Sequence, residues 1–142
     1  MSDAAAMNDW NTSIIEEFRA NAGVVGGPFE GAPMVILHHT GAKSGVVRET
    51  PLMAQVVPDG WAIFASKGGA PTAPDWFHNL VANPDCQIEL GTETIDATAR
   101  VLEGDERTQV WEAQKAAWPQ FAGYEEATTG IREIPVVVLS RR

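Results

Sequence analysis

The alternation of apolar and polar positions predicts a chain built mainly from antiparallel strands. In the predicted strand from Glu93 to Leu102, apolar and polar residues alternate without interruption between Thr94 and Val101, which is typical of a strand that presents one face to a core. The segments Pro58-Asp59-Gly60 and Gly91-Thr92 predict tight turns between neighbouring strands, because proline presets φ and glycine accepts a positive φ. The other predicted strands cover residues 33–39, 48–57, 61–66, 86–90 and 134–140.

Helical spacing predicts a first helix over 11–21, with a capping box formed by Ser13 and Glu16 at its start. Residues 1–10 are expected to form a flexible N-terminal arm, and residues 11–142 a single domain. Further helices are predicted over 76–82, over 105–117 and, after the break at Pro119, to about residue 128. About six strands joined mainly by hairpins indicate an α+β fold, in which peripheral helices surround a small antiparallel barrel.

The predicted strand 48–57 contains Pro51. Proline has no N–H to donate to a neighbouring strand. We therefore expect this strand to lie at a sheet edge or to contain a bulge at Pro51.

Composition narrows the class of protein to a soluble domain with an acidic surface. The chain has 142 residues, of which 44% are apolar and 20% charged, and its formal net charge is −9. This charge repels nucleic-acid phosphates and anionic membranes, so we expect no nucleic-acid partner. No apolar run is long enough for an integral membrane segment. The first ten residues contain no basic residue, which argues against a signal peptide.

Cysteine and histidine usage argues against a disulfide and against a metal site. Cys86 is the only cysteine, which excludes an intramolecular disulfide and favours a reducing cytoplasm. His38 and His39 are adjacent on a predicted strand, so their side chains point to opposite faces and cannot bind one metal together. We expect no metal, with one histidine packed and the other exposed.

Basic residues are relatively concentrated in the middle of the chain. Residues 38–79 contain three basic and three acidic residues, whereas the rest of the chain contains seven and sixteen. Lys43 lies between two glycines and Lys67 directly precedes two more. Such turns can present several backbone N–H groups to one anion, but they are also common in solvated loops. Both interpretations stay open on spacing alone.

Two groups of large side chains fit either a ligand pocket or a core. Met53, Trp76 and Phe77 could line a flat heteroaromatic ring or pack inside the fold. The second group recurs at helical spacing and could either pack against the barrel or form a lid over a substrate. It consists of Trp111, Trp118, Phe121 and Tyr124. The hydroxyl of Tyr124, the only tyrosine, can donate a proton or a hydrogen bond.

Three motifs occur in order along the chain. They are Thr40-Gly41-x-Lys43-Ser44-Gly45-x-x-Arg48-x-x-Pro51-Leu52, then Ala65-Ser66-Lys67-Gly68-Gly69-Ala70-Pro71, and then Trp76-x-x-Asn79-Leu80-x-Ala82-Asn83-Pro84. Together they resemble the deazaflavin-dependent nitroreductase and quinone reductase family, small actinobacterial enzymes that use coenzyme F-420. The resemblance extends from about Asn11 to Leu139 and implies a split β-barrel, akin to the flavin-binding split barrels.

The resemblance also implies an activity and a set of site residues. Reduced coenzyme F-420, an 8-hydroxy-5-deazaflavin, would deliver a hydride to a quinone, a nitro compound or an activated C=C bond. The phosphate and polyglutamate part of the coenzyme would be held by Lys43, Ser44 and Arg48. Its ring would be lined by Pro51, Leu52 and Met53, and its polar edge or phosphate would be contacted by Ala65, Ser66, Lys67 and Gly68. Trp76 and Asn79 would complete the pocket, and the catalytic hydrogen-bond or proton donors would be Ser66 and Tyr124.

Two alternatives belong to other classes of protein. A non-catalytic deazaflavin-binding protein would bind the coenzyme without acceptor-dependent oxidation, and a split-barrel oxidoreductase with FMN would prefer that cofactor. The expected partner is a small-molecule hydride acceptor. A homodimer and a peripheral association with the membrane are left open.

Overall fold

The computed structural model describes the backbone of residues 2–142 and the side chains of residues 10–142. Within that range the helices are α1 (Ser2–Ala20), α2 (Asp75–Ala82), α3 (Gly104–Ala117) and α4 (Gln120–Thr128). The strands are β1 (Met34–Thr40), β2 (Val47–Met53), β3 (Gln55–Val57), β4 (Gly60–Phe64), β5 (Asp85–Leu90), β6 (Glu93–Val101) and β7 (Val136–Arg141). None of the helices in this range is long and apolar enough to cross a bilayer.

The strands form one antiparallel sheet in the order β2-β1-β5-β6-β7-β4-β3. β2 and β3 follow each other along the chain, yet they occupy opposite edges of this sheet. Buried Ala54 lies between them, and its N–H donates to the Pro33 carbonyl at 2.8 Å. One bent segment therefore connects the two edges, and the sheet curls into a small split barrel. This confirms the predicted fold class.

The predicted strand 48–57 is divided in two at Ala54, so the described sheet has seven strands instead of about six. The first part pairs with β1, whereas the second pairs with β4 through the predicted turn at Pro58-Asp59. Pro51 lies in the edge strand β2, as its missing N–H requires. The prediction of an edge position is therefore confirmed, and the prediction of one continuous strand is wrong.

Both faces of the sheet are covered, which explains the unbroken apolar run of β7. Val137 and Leu139 point into the barrel interior, while Val136 and Val138 pack against α3 and α4. All four are at most 2% exposed, as expected when successive residues of a strand face opposite buried surfaces. On the α3–α4 side, Trp111 and Phe121 are buried and belong to the core.

The first helix begins earlier than predicted. Its backbone is helical from Ser2, so Ser13 lies inside α1 and does not cap it. Alanine-rich sequence before Trp10 favours this extension, because alanine has the highest helix propensity. The predicted end is confirmed: Gly23 has a φ of 94° and its N–H donates to the Phe18 carbonyl at 2.8 Å.

Candidate functional site

The end of β4 has no strand paired to it on the side of β2, because two paired segments separate there; we refer to this unpaired space as the groove. In the β3–β4 hairpin, Gln55 pairs with Ala62. Continuing that register would place Leu52 opposite Ala65. Instead, β2 turns away to pair with β1, so the space beside the end of β4 is left without a neighbouring strand.

This arrangement brings two groups of predicted coenzyme residues to opposite walls of the groove. One wall is formed by three half-buried residues of β2: Pro51, Leu52 and Met53. The other wall follows β4, where Ala65 and Ser66 are buried and Lys67 is exposed.

The loop that follows β4 has a backbone suited to holding an anion. Ser66 has right-handed helical dihedrals (φ −79°, ψ −35°), whereas Lys67 and Gly68 have positive φ angles of 47° and 63°. Within the described residues, the N–H groups of Ser66, Lys67 and Gly68 have no hydrogen-bond acceptor. Successive free N–H groups in such a right-to-left-handed sequence form a concave nest for a negatively charged or strongly polarised oxygen.

The same loop contacts the helix that carries Tyr124. A Cβ built on Gly69 would lie 3.1 Å from the Ala127 Cβ and 3.3 Å from the Tyr124 Cα. The ring of Tyr124 packs edge-on against Phe121 at a centroid distance of 5.2 Å. Its hydroxyl makes no hydrogen bond to any residue between 10 and 142. The two predicted proton donors, Ser66 and Tyr124, therefore lie on elements that touch each other.

The turn between β1 and β2 carries Lys43 and is closed by its own backbone. The Gly45 N–H donates to the Gly41 carbonyl at 3.0 Å. The Ser44 hydroxyl oxygen accepts the Val46 N–H at 3.2 Å. Ser44 thus already has a structural role in this turn, whereas the Lys43 side chain is exposed.

Three basic side chains that the motifs predict for the coenzyme have no acidic partner in the part of the chain with described side chains. Neither Lys43, Arg48 nor Lys67 forms a salt bridge there, and all three are exposed. By contrast, Arg19, Arg100 and Lys115 are each paired with carboxylates. The charge of the three site residues is therefore available to a ligand.

Asn79 and His39 hold the Lys43 turn in place, a role that sequence reasoning missed. The Asn79 Oδ1 accepts the Ala42 N–H at 2.9 Å, and its Nδ2 donates to the His39 Nδ1 at 2.9 Å. The second ring nitrogen of His39 then carries the proton and donates to the Thr50 hydroxyl at 2.9 Å. Burial lowers the pKa of His39 to about 4, so the ring is neutral near pH 7 and serves both contacts.

The adjacent histidines face opposite sides, as predicted. His38 is half-buried and contacts Glu89 at 2.6 Å, whereas His39 is 3% exposed. His38, Glu49 and Glu89 have ligand atoms within 4.8 Å of one another. Arg19 already pairs with both carboxylates, at 2.9 and 2.6 Å, so their charge is partly neutralised by a side chain of the protein itself.

The remaining aromatic candidates divide between core and surface. Trp76 is 5% exposed and packs within the barrel core, and Phe77 is half-buried beside it. The core interpretation is therefore favoured for Trp76. Two cavities of about 210 and 190 Å³ lie away from the groove. The first lies between α3 and α4 beside Arg107 and Arg132, and the second lies between α2 and β6.

Comparison with known proteins decides the family. The profile of the F420H₂-dependent quinone reductases matches residues 10–141. The chain belongs to this family. An F420H₂-dependent quinone reductase of Mycobacterium tuberculosis is 37% identical over 129 residues, which cover 88% of this chain and 85% of the relative.

Two solved structures are also similar to this member of the F420H₂-dependent quinone reductases. One, described as an F420-H2-dependent reductase (FDR-A), is 43% identical with a TM-score of 0.67, over 76% of this chain and 94% of its own. The other, described as a domain-swapped dimer, is 38% identical with a TM-score of 0.68, over 94% of this chain and 98% of its own. Membership confirms the predicted F-420-dependent reductase class and favours F-420 over FMN as cofactor.

Proposed function

We propose that this protein binds reduced F-420 in the groove between β2 and β4 and reduces a quinone. The observation that carries the proposal is the nest of free N–H groups at Ser66–Gly68, beside the unpaired side chain of Lys67. When bound, the coenzyme supplies a hydride, and the protein supplies binding, orientation and a proton.

The described residues fit an elongated coenzyme with a flat ring and an acidic tail. Half-buried Leu52 and Met53 lie on opposite faces of β2, so the ring would have an apolar neighbour on either face of that strand. The nest suits a carbonyl or phosphate oxygen. Lys43, Arg48 and Lys67 are exposed cations on a protein whose net charge is −9, so a polyanionic tail would be attracted locally and repelled elsewhere.

The acceptor side of the groove would be formed by α4. Transfer of a hydride leaves negative charge on a quinone oxygen, and one proton then completes the hydroquinone. A donor beside that oxygen lowers the energy of the transition state. Tyr124 is suited to this role because its hydroxyl is unbonded within residues 10–142 and its ring is held by Phe121. Ser66 is 9% exposed and lies at the start of the nest.

The deciding experiment combines equilibrium titration with an acceptor assay. We expect F-420 to bind much more tightly than FMN, and its binding to weaken as salt is raised. Reduced F-420 should then be oxidised only when a quinone is present, as followed by absorbance. Tight binding without acceptor-dependent oxidation would instead indicate a coenzyme-binding protein that is not an enzyme.

Several finer predictions form part of this proposal. Nitro compounds and activated alkenes are further candidate acceptors, and the same assay compares the rates at which they and quinones oxidise reduced F-420. The domain-swapped dimer among the similar structures supports a homodimer, which light scattering coupled to gel filtration would test. A cytoplasmic location is consistent with the single, buried thiol of Cys86.

A further inference from the structure

Arg132 holds the loop after β4 by its backbone. Its Nε donates to the Ala70 carbonyl at 3.0 Å, its Nη1 to the Ala65 carbonyl at 3.1 Å and its Nη2 to the Ser66 carbonyl at 3.0 Å. All three kinds of guanidinium nitrogen are thus used on a single loop, which lies more than sixty residues earlier in the chain.

The guanidinium makes these contacts in place of an ion pair. Arg132 forms no salt bridge to any carboxylate among the side chains of residues 10–142. Burial lowers its pKa, in keeping with a guanidinium that has lost some hydration and has no acidic partner beside it. Hydrogen bonds from a charged donor are about twice as strong as neutral ones, so the three carbonyls are its main compensation.

These contacts, together with the bond from the Gly69 N–H to the Ser66 carbonyl at 2.9 Å, hold the N–H groups of the loop in one direction. In a planar trans peptide, the C=O of one residue and the N–H of the next point in opposite directions. Because the carbonyls of Ala65 and Ser66 point at Arg132, the N–H groups of Ser66 and Lys67 point away from it. Those are two of the three N–H groups of the nest.

The loop needs such external support because its backbone is strained. Lys67 has a φ of 47°, a left-handed conformation that costs a residue with a side chain roughly 1–2 kcal/mol. Gly68 and Gly69 follow with φ of 63° and 85°. A loop with three successive positive φ angles has many alternative backbone conformations, and the Arg132 contacts favour one of these conformations.

We propose that Arg132 is a positioning residue that orients the Ser66–Gly68 nest and thereby sets the affinity for the coenzyme without touching it. The inference rests on the proposed function, because it assumes that the nest belongs to the coenzyme site. Neither the sequence motifs nor their spacing points to Arg132.

The test compares Arg132→Gln and Arg132→Lys with the matched control Arg107→Gln. Arg107 lines the same cavity beside α3 and α4 as Arg132. It donates to the Ile134 carbonyl at 2.6 Å and lies over the Trp111 ring, and it makes no hydrogen bond to the loop after β4 within residues 10–142. We measure the F-420 dissociation constant, the quinone KM and the thermal midpoint of each variant. We expect both Arg132 variants to weaken F-420 binding by about tenfold or more. The quinone KM should stay within about twofold, and Arg107→Gln should lose stability but keep its coenzyme affinity.

A rescue experiment separates positioning from general stability. In Arg132→Ala, millimolar guanidinium should recover part of the lost F-420 affinity, whereas sodium chloride at the same ionic strength should not. If Arg132→Gln does not fold, Arg132→Lys decides, because a single ammonium nitrogen does not reproduce the three separate nitrogen positions of the planar guanidinium. Unchanged coenzyme affinity in a folded Arg132 variant would overturn the inference while leaving the proposed function intact. Absence of F-420 binding by the wild-type protein would overturn both.

Discussion

The neutral state of His39 predicts a specific loss of stability in mild acid. An ordinary histidine has a pKa of 6.5, and burial lowers that of His39 to about 4. Between these values the unfolded chain takes up a proton that the folded chain does not, so the free energy of unfolding falls as the pH falls. The difference of about 2.5 pKa units corresponds to roughly 3.4 kcal/mol at 1.36 kcal/mol per unit.

The size of the effect at an accessible pH follows from the same two values. At pH 5, protonation of His39 stabilises the unfolded state by about 2 kcal/mol and the folded state hardly at all. The structural reason is the donor–acceptor arrangement: a proton on His39 Nδ1 would face the Asn79 Nδ2 donor, 2.9 Å away. The carboxyls with lowered pKa values, such as Glu89 and Glu125, begin from an ordinary value of 4.5. Their loss of stability therefore starts at lower pH.

The assay is urea unfolding at several values between pH 5 and pH 8, on wild type, His39→Asn and His78→Asn. Asn at position 39 keeps an acceptor for Asn79 but cannot titrate, and His78 is an exposed histidine on α2 that serves as control. Wild type and the His78 variant should lose about 2 kcal/mol between pH 7 and pH 5. The His39 variant should be less stable at pH 7 but lose much less on acidification. An unchanged pH dependence in His39→Asn would refute the reasoning.

Four further predictions concern the site and the fold. Lys67→Ala should weaken F-420 binding about tenfold and reduce its salt dependence, and an unchanged dissociation constant would place the coenzyme elsewhere. Tyr124→Phe should lower turnover more than coenzyme affinity, as measured by kcat and by titration. Burial raises the pKa of Cys86 from 9.0 to about 11. Stability should therefore fall as the pH rises from 9 toward 11, and Cys86→Ala should remove this loss. Gly60→Ala should lower the thermal midpoint strongly, because its Cβ would clash with the carbonyl oxygen of Leu139 on β7; Gly123→Ala, in an open helical position, should be neutral or stabilising.

Local patterns in the sequence determined most of the elements and their connections. Strict alternation from Thr94 to Val101 predicted β6, and the Pro58-Asp59-Gly60 turn predicted the β3–β4 hairpin. The three linked motifs indicated the family that the comparisons then confirmed. These signals are readable because side-chain period and turn geometry depend on residues close together in the chain.

Only the tertiary structure decided which segments meet. No glycine, proline or other turn signal stands at Ala54 itself, so nothing local shows that the chain changes partner there and leaves a groove beside β4. Asn79, which the motifs predict for the coenzyme pocket, bonds Ala42 and His39, and Arg132 holds a loop from the other half of the chain. The physical reason is the same in each case. Strand pairing and buried hydrogen bonds join groups that lie far apart in the sequence, and which groups meet is decided by the way the sheet curls.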